Sequence, residues 1–342
     1  MFENYFGNPA VAATLERMLE TGRIAQTILL AGPEGVGKAT LARRAASRLL
    51  GSAEKIEQDD LSREQNRALL AEREKWPGDK RAADPLLFAT HPDFVTFCPE
   101  GPLRQLSIQQ MRLLKARARL RPLKGHWRVF LIGQIDRAGP QAADSLLKTL
   151  EEPPSHLVLF LTAGNPFDLP PTIRSRAVQF RLSPLSEEDM RKFCAARRLP
   201  DAERRIALAG GCPGLAATLD LELHEKRRAV MLSLLESAAG QAPFAEWVKN
   251  SEAFLASKSE KLDAYLGPAY SLLEDLVAIR AGGTRIRNPD LEPALRRLAA
   301  RTGFGWLRAA VGKLGEMAAL QRRNVQKTLI FDDFVVTLRT ET

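Results

Sequence analysis

The chain has 342 residues, 45% hydrophobic and 27% charged, with a formal net charge of +9 and a pI near 9.7. That length suggests two or three domains. No run reaches the ~18 uncharged apolar residues of a membrane span, no basic start with an apolar core marks a secretion signal, and Cys98, Cys194 and Cys212 form no C-x-x-C pair, so a membrane protein, a disulfide framework and a zinc knuckle are disfavoured and a cytoplasmic protein is expected.

Val11, Leu15, Met18 and Leu19 recur at helical spacing and predict a helix over 9–21. Thr27-Ile-Leu-Leu-Ala31 is a short apolar run suited to a buried parallel strand. Gly32-Pro-Glu-Gly-Val-Gly37-Lys38 follows and matches G-x-x-x-x-G-K, with a helix predicted from Lys38 to about Leu50. Strand, glycine loop and helix together define a phosphate-binding loop. Its glycines let backbone N–H groups wrap a phosphate, and its lysine reaches the β and γ phosphates. Ala39 stands where a Ser or Thr hydroxyl ligates Mg²⁺, and Thr40 is one place late, about 100° round the helix. Gly32, Gly35, Gly37, Lys38 and the displaced Thr40 form the candidate nucleotide-binding set, which holds ATP or ADP without hydrolysis or is vestigial.

Sixteen of the thirty-one residues from Glu54 to Asp84 are charged, with mixed signs, so 51–84 reads as an exposed helical or partly disordered insertion. Apolar strands are predicted at 94–97, 129–132 and 157–161, separated by helical segments. This alternation argues for a parallel sheet covered on both faces. His91 reads as a strand-leading residue, since no second His or Cys lies at metal spacing. From Gly101 to Ile135 there is no acidic residue, but eight basic ones. That stretch is a solvated face or a helix tracking a nucleic-acid backbone. Spacings of three and four put Arg112, Lys115 and Arg119 on one helix face, the candidate DNA contacts.

A hydrolytic phosphate loop needs a second strand ending in a metal-holding Asp and a water-polarising Glu. Here Leu131-Ile132 runs into Gly133-Gln134, and Asp136 is three residues off register. Glycine cannot hold Mg²⁺ and a neutral amide cannot take a proton from water, so intrinsic hydrolysis is expected to be very slow or absent. Glu151 and Glu152 are adjacent, diverge by about 100° on a helix, and are followed by Pro153-Pro154. A structural or interface role is expected for them, not a catalytic pair.

Beyond Phe180 no further strand is expected. Ser186 reads as the N-cap of a helix with acids in its first turn. A small helical unit runs to about Asp220, interrupted by Gly210-Gly-Cys-Pro-Gly214, and helices alone follow from about 224. In one of them Leu262, Tyr265, Leu266, Ala269, Leu273, Leu276 and Val277 share a face.

The run Leu146-Leu-Lys-Thr-Leu-Glu-Glu-Pro-Pro154, with Pro171-Thr-Ile-Arg-Ser-Arg176 and His91-Pro-Asp93, resembles bacterial clamp-loader subunits of the AAA+ class, and within them the delta-prime type of the DNA polymerase III holoenzyme. Leu320–Leu329 resembles that family's last collar helices. The resemblance implies an α/β plus all-α architecture in three domains. These are a nucleotide-binding-type parallel sheet over 1–182, a helical lid over 183–223, and a helical collar over 224–342 that joins subunits in a ring. It implies a non-hydrolysing subunit that works with motor (gamma/tau-type) and delta subunits, a sliding clamp and primer-template DNA, with no membrane partner. Arg176 occupies the place of an arginine that reaches a neighbour's ATP in trans, a task suited to a planar, permanently charged guanidinium. The family's usual Cys after that arginine is Ala177 here. Its four-cysteine zinc module is replaced by 51–84, so no zinc is expected. Ala163-Gly164 and Gly214 stand near positions where motor subunits carry polar sensors. Two other functions compete: a self-sufficient motor-type ATPase, against which Gly133 and Gln134 argue, and a DNA-binding adaptor outside any clamp loader.

Overall fold

The computed structural model describes residues 2, 4–255, 262–284, 286–321 and 326–340. They fall into two compact units, Met1–Thr218 and Leu219–Thr342. The first unit is built on five strands: β1 (Thr27–Ala31), β2 (Phe94–Phe97), β3 (Arg128–Ile132), β4 (Leu157–Ala163) and β5 (Val178–Arg181). Their order is β2-β3-β4-β1-β5, and every pairing is parallel. Strands β1 to β4 are buried at every residue, which explains their largely apolar sequences; Thr27, Thr96, Arg128 and Thr162 are the buried polar exceptions. Residues 183–218, expected as a lid, group with the sheet in this unit.

Period-two alternation sorts the sheet into two layers. Ile28, Leu30, Val158 and Phe160 pack with Leu41 and Ala45 of helix Lys38–Leu50 and Leu15 of helix Pro9–Glu20. Leu29, Phe130, Leu159 and Leu161 face the other way, onto Met111 and Leu114 of helix Ile108–Ala118 and Leu146 and Leu150 of helix Pro140–Glu151. Strand β5 departs from the sequence expectation. Val-Gln-Phe-Arg lies on the edge, paired only to β1 and mostly exposed, so it lacks the apolar run that marks its neighbours. Ser186 caps helix Glu187–Arg197 as expected, its side chain accepting from Asp189 N at 3.1 Å.

The charged insertion is helical, over Ala53–Gln58, Glu64–Glu74 and Gly78–Ala83, and is pinned by ion pairs. Arg73 Nη2 donates to Glu100 Oε2 at 2.8 Å with both side chains 3% exposed, and Arg73 Nη1 donates to Asp84 at 2.9 Å. Arg43 bridges Glu57 and Asp60, and buried Asp59 takes the Thr90 hydroxyl at 2.6 Å. Among the described residues no His/Cys/Asp/Glu group could hold a metal ion. Glu100→Ala strands a buried guanidinium, a loss of ~3 kcal/mol with Asp84 as partial compensation. A thermal melt should drop by several degrees, and wild-type melting should be indifferent to EDTA.

The second unit is all helical among its described residues. Its core gathers Met231, Leu234, Leu273, Leu276, Phe331 and Phe334 around Trp247, whose Nε1 donates to Asp332 at 2.8 Å. In helix Asp263–Arg280 and just ahead of it, six of the seven predicted face residues are buried, but Val277 is 40% exposed. Val277 sits at one margin of the stripe, and burial extends instead to Leu272 on the other margin. Of the collar-like run Leu320–Leu329, residues 322–325 lie outside the described residues.

Candidate functional site: a closed phosphate loop and an outward arginine

The phosphate loop folds as its sequence predicts. Gly32, Gly35 and Gly37 take φ of 151°, 77° and 107°, and Gly37 precedes helix Lys38–Leu50 without a side-chain cap. A helix start of this kind presents free N–H groups and the positive end of the helix dipole. Yet the loop is filled from within the chain. Lys38 Nζ donates to Gly32 O at 2.5 Å and Pro33 O at 2.7 Å. Burial pulls the Lys38 amine below its usual range, against the raising influence of Glu34 and Asp136.

Two further elements press on the loop. Gly214 N, in helix Pro213–Thr218, donates to Gly35 O at 2.8 Å, and a Cβ on Gly35 would lie 2.8 Å from Leu215. Gly35 needs glycine here, for its φ of 77° and the approach of Leu215, and a Cβ on Gly214 would lie 3.0 Å from the Gly35 backbone, so the approach is tight on both sides. The Tyr5 ring lies against Gly37, its hydroxyl buried and without a hydrogen-bond partner among the described residues, and burial pushes its pKa up. Nothing in the local sequence around Tyr5 signals this contact.

The acid positions are empty of acids. Gly133 N donates to Phe97 O, Gln134 turns through a left-handed φ of 50°, and its N–H goes to the buried Thr162 hydroxyl at 2.9 Å. Asp136, off register in sequence, is brought back by a 3₁₀ turn (Ile135–Arg137), so that Oδ2 accepts from Gly164 N at 3.1 Å while Oδ1 is buried without a hydrogen-bond partner among the described residues. It lies within electrostatic reach of Lys38. The carboxylate thus joins the loop region from a position the strand pattern does not reveal.

Arg176 follows the short helix Pro171–Arg174 and keeps its side chain 34% exposed. Its Nη2 donates to Glu151 Oε1 at 2.8 Å and its Nη1 to Thr172 O at 2.9 Å. Nearby, Phe167 is 71% exposed with the Arg174 guanidinium 5.3 Å over its ring.

The candidate DNA residues lie on or at the end of helix Ile108–Ala118: Arg112 exposed, Lys115 half-buried, Arg119 exposed at the C-cap. The helix start is fixed by a Ser107–Gln110 capping box, and buried Gln110 also donates to Leu86 O and Cys98 O. The basic loop after it hangs on Asp93. This fully buried carboxylate accepts Leu123 N at 2.8 Å, Lys124 N at 2.7 Å and Arg128 Nη2 at 3.3 Å. His91 is buried as a strand-leading residue, its Nδ1 accepting from Asp93 N at 3.1 Å, and burial lowers its pKa. Cys98, Cys194 and Cys212 are all buried free thiols, and burial pushes Cys98 up to about 12. No described helix is long and apolar enough to cross a membrane.

Comparison with known proteins agrees with the motifs. The chain is 32% identical over 231 residues to DNA polymerase III subunit delta′ of Pseudomonas aeruginosa, an alignment covering 65% of each chain. It is 25% identical over 263 residues to subunit delta′ of Escherichia coli, covering 76% of each. A solved Thermotoga maritima protein related to the gamma subunit aligns over 96% of this chain and 98% of its own at 18% identity, with a TM-score of 0.44. The family described as DNA polymerase III, delta subunit, matches residues 7–186, more than half the chain and the whole of the sheet with its phosphate loop and Arg176. The chain therefore belongs to that family of clamp-loader subunits.

Proposed function

We propose that this chain is a non-hydrolysing, delta-prime-type clamp-loader subunit that assists ATP-driven loading of the sliding clamp onto primed DNA and lends Arg176 to the ATP of a neighbouring motor subunit. The observation that carries this reading is the pairing of Gly133-Gln134 in place of the two acids with a half-exposed Arg176. Phosphoryl transfer needs a bridging metal and an oriented nucleophile, and these residues supply neither. A partly exposed guanidinium can supply what a neighbouring site of this kind borrows, a fixed positive charge. Motor and delta subunits, clamp and primer-template DNA are its partners. The lid over 183–223 and the collar over 224–342 complete its three-domain plan, and Arg112, Lys115 and Arg119 face the DNA backbone.

The test is direct. The purified chain should show no steady Mg²⁺-ATP turnover, and should assemble with motor and delta subunits into a complex whose ATPase responds to clamp and primed DNA. Brisk turnover by the chain alone would favour the motor-type reading, for which Asp136 beside the loop is the specific supporting feature; Asp136→Asn should then abolish that turnover.

The loop itself performs no hydrolysis in this reading, because Gly133 and Gln134 stand where a metal-holding and a water-polarising acid are needed. Lys38→Ala should therefore change the ATPase of the assembled loader by less than about twofold, since an interaction absent from the transition state contributes nothing to rate. A large loss would show that nucleotide in this subunit matters.

A further inference from the structure

Arg176 is not a free side chain. Of the groups that bind it, Thr172 O and Ser175 Oγ, at 2.9 and 3.4 Å, belong to its own turn. Glu151 belongs to another element, the last residue of helix Pro140–Glu151, 25 residues earlier. That helix end is itself immobilised. Pro153 and Pro154 forbid its continuation. Gln26 Nε2, one residue before β1, donates to Pro154 O at 2.9 Å, and Leu157 N at the start of β4 donates to the same oxygen at 2.8 Å. The carboxylate of Glu151 thus stands on a point fixed to two central strands.

We propose that Glu151 is a positioning residue for Arg176, holding the guanidinium in one orientation with its remaining N–H groups turned outward to a neighbour's nucleotide phosphate. This deepens, and rests on, the reading of Arg176 as a trans arginine. Two opposite effects of Glu151 can be weighed. As a counter-charge it competes with phosphate for the guanidinium. That competition is weak, because the side chains are 34% and 48% exposed and water and salt screen the pair. As an orienting anchor it removes rotamer freedom from a long side chain, and misplacing a catalytic group by about 1 Å costs on the order of 10²-fold in rate. Orientation wins, so removing Glu151 slows the neighbour's reaction.

The experiment uses the full chain reassembled with motor and delta subunits, with clamp and primed DNA present, and reads kcat and KM for ATP. Glu151→Ala should lower kcat about tenfold with KM for ATP unchanged, the pattern of an interaction made in the transition state. Glu151→Gln keeps a side-chain oxygen that accepts the Nη2 hydrogen bond and should retain about half the wild-type rate or more. Both variants should melt with the wild type. A merely structural helix-end role would instead lower the melting temperature and leave kcat per assembled complex untouched. The proposal is overturned by unchanged or increased turnover in Glu151→Ala, or by equal impairment of the Ala and Gln variants. Arg176→Ala in the same assembly separates the two levels of the argument. If it has no effect, the trans-arginine reading fails; if it slows turnover while Glu151→Ala does not, only the positioning role fails.

Discussion

Arg176→Ala should lower the clamp- and DNA-stimulated ATPase of the assembled loader at least tenfold while leaving this chain folded and assembled. Tenfold corresponds to about 1.4 kcal/mol of transition-state stabilisation. In GTPases a trans arginine contributes ~10³–10⁵ in rate, so tenfold is a lower bound on the loss expected of a trans arginine. Arg176→Lys should recover little, because an ammonium is a point charge without the planar fork that grips two phosphate oxygens. Stability should scarcely change. The Arg176–Glu151 pair is half-exposed, and such solvent-screened pairs contribute ~0–1 kcal/mol net. The measurement is kcat of the reconstituted loader beside a melt of the isolated subunit. Turnover equal to wild type would remove Arg176 from the mechanism and leave the loss of acids at Gly133 and Gln134 without a compensating role.

The parts of this molecule legible in its sequence are those written by contiguous residues. Strands β1 to β4 are buried on both faces and therefore mostly apolar. The phosphate loop declares itself by glycines at fixed spacing between a strand and a helix, and the loss of hydrolytic acids is visible at Gly133 and Gln134 because a strand's end positions them. Strand β5 escapes notice because an exposed edge strand needs no apolar run. The charged insertion looks solvated by composition, but its pattern conceals which charges are inside. Arg73 and Glu100 are 27 residues apart and both buried, and each is the other's buried counter-charge. The same limit applies at the site. Asp136 meets Gly164 across 28 residues, Glu151 meets Arg176 across 25, and Asp93 meets Leu123 across 30. Such contacts follow from the sheet order, which brings β2, β3 and β4 side by side, and no local periodicity encodes them.

Asp93→Ala should destabilise the first unit by ~3–5 kcal/mol, the range for removing one partner of a buried charge pair. The arithmetic of partners explains the size. The substitution leaves Leu123 N and Lys124 N without their acceptor and strips Arg128, whose side chain is 6% exposed, of its counter-charge. Among the described residues Arg128 then keeps the neutral carbonyls of Arg117 and Pro92. For a unit of this length each kcal/mol moves the melting temperature by roughly 2–4 °C, so the transition should fall by roughly 6–20 °C. Asp93→Asn keeps one acceptor oxygen but no charge and should fall between Ala and wild type. The double variant Asp93→Ala/Arg128→Met should be less damaged than the sum of its parts, since it removes the stranded cation as well as the anion. A shift below about 2 °C in Asp93→Ala would mean that the buried carboxylate holds little of the fold. The expected large shift would mean that a buried charge in the His-Pro-Asp turn is what keeps the basic loop 119–127 in one conformation. That loop carries Arg119 and Lys124 and begins where helix Ile108–Ala118 ends. A cationic surface held rigid loses less entropy on meeting a polyanion.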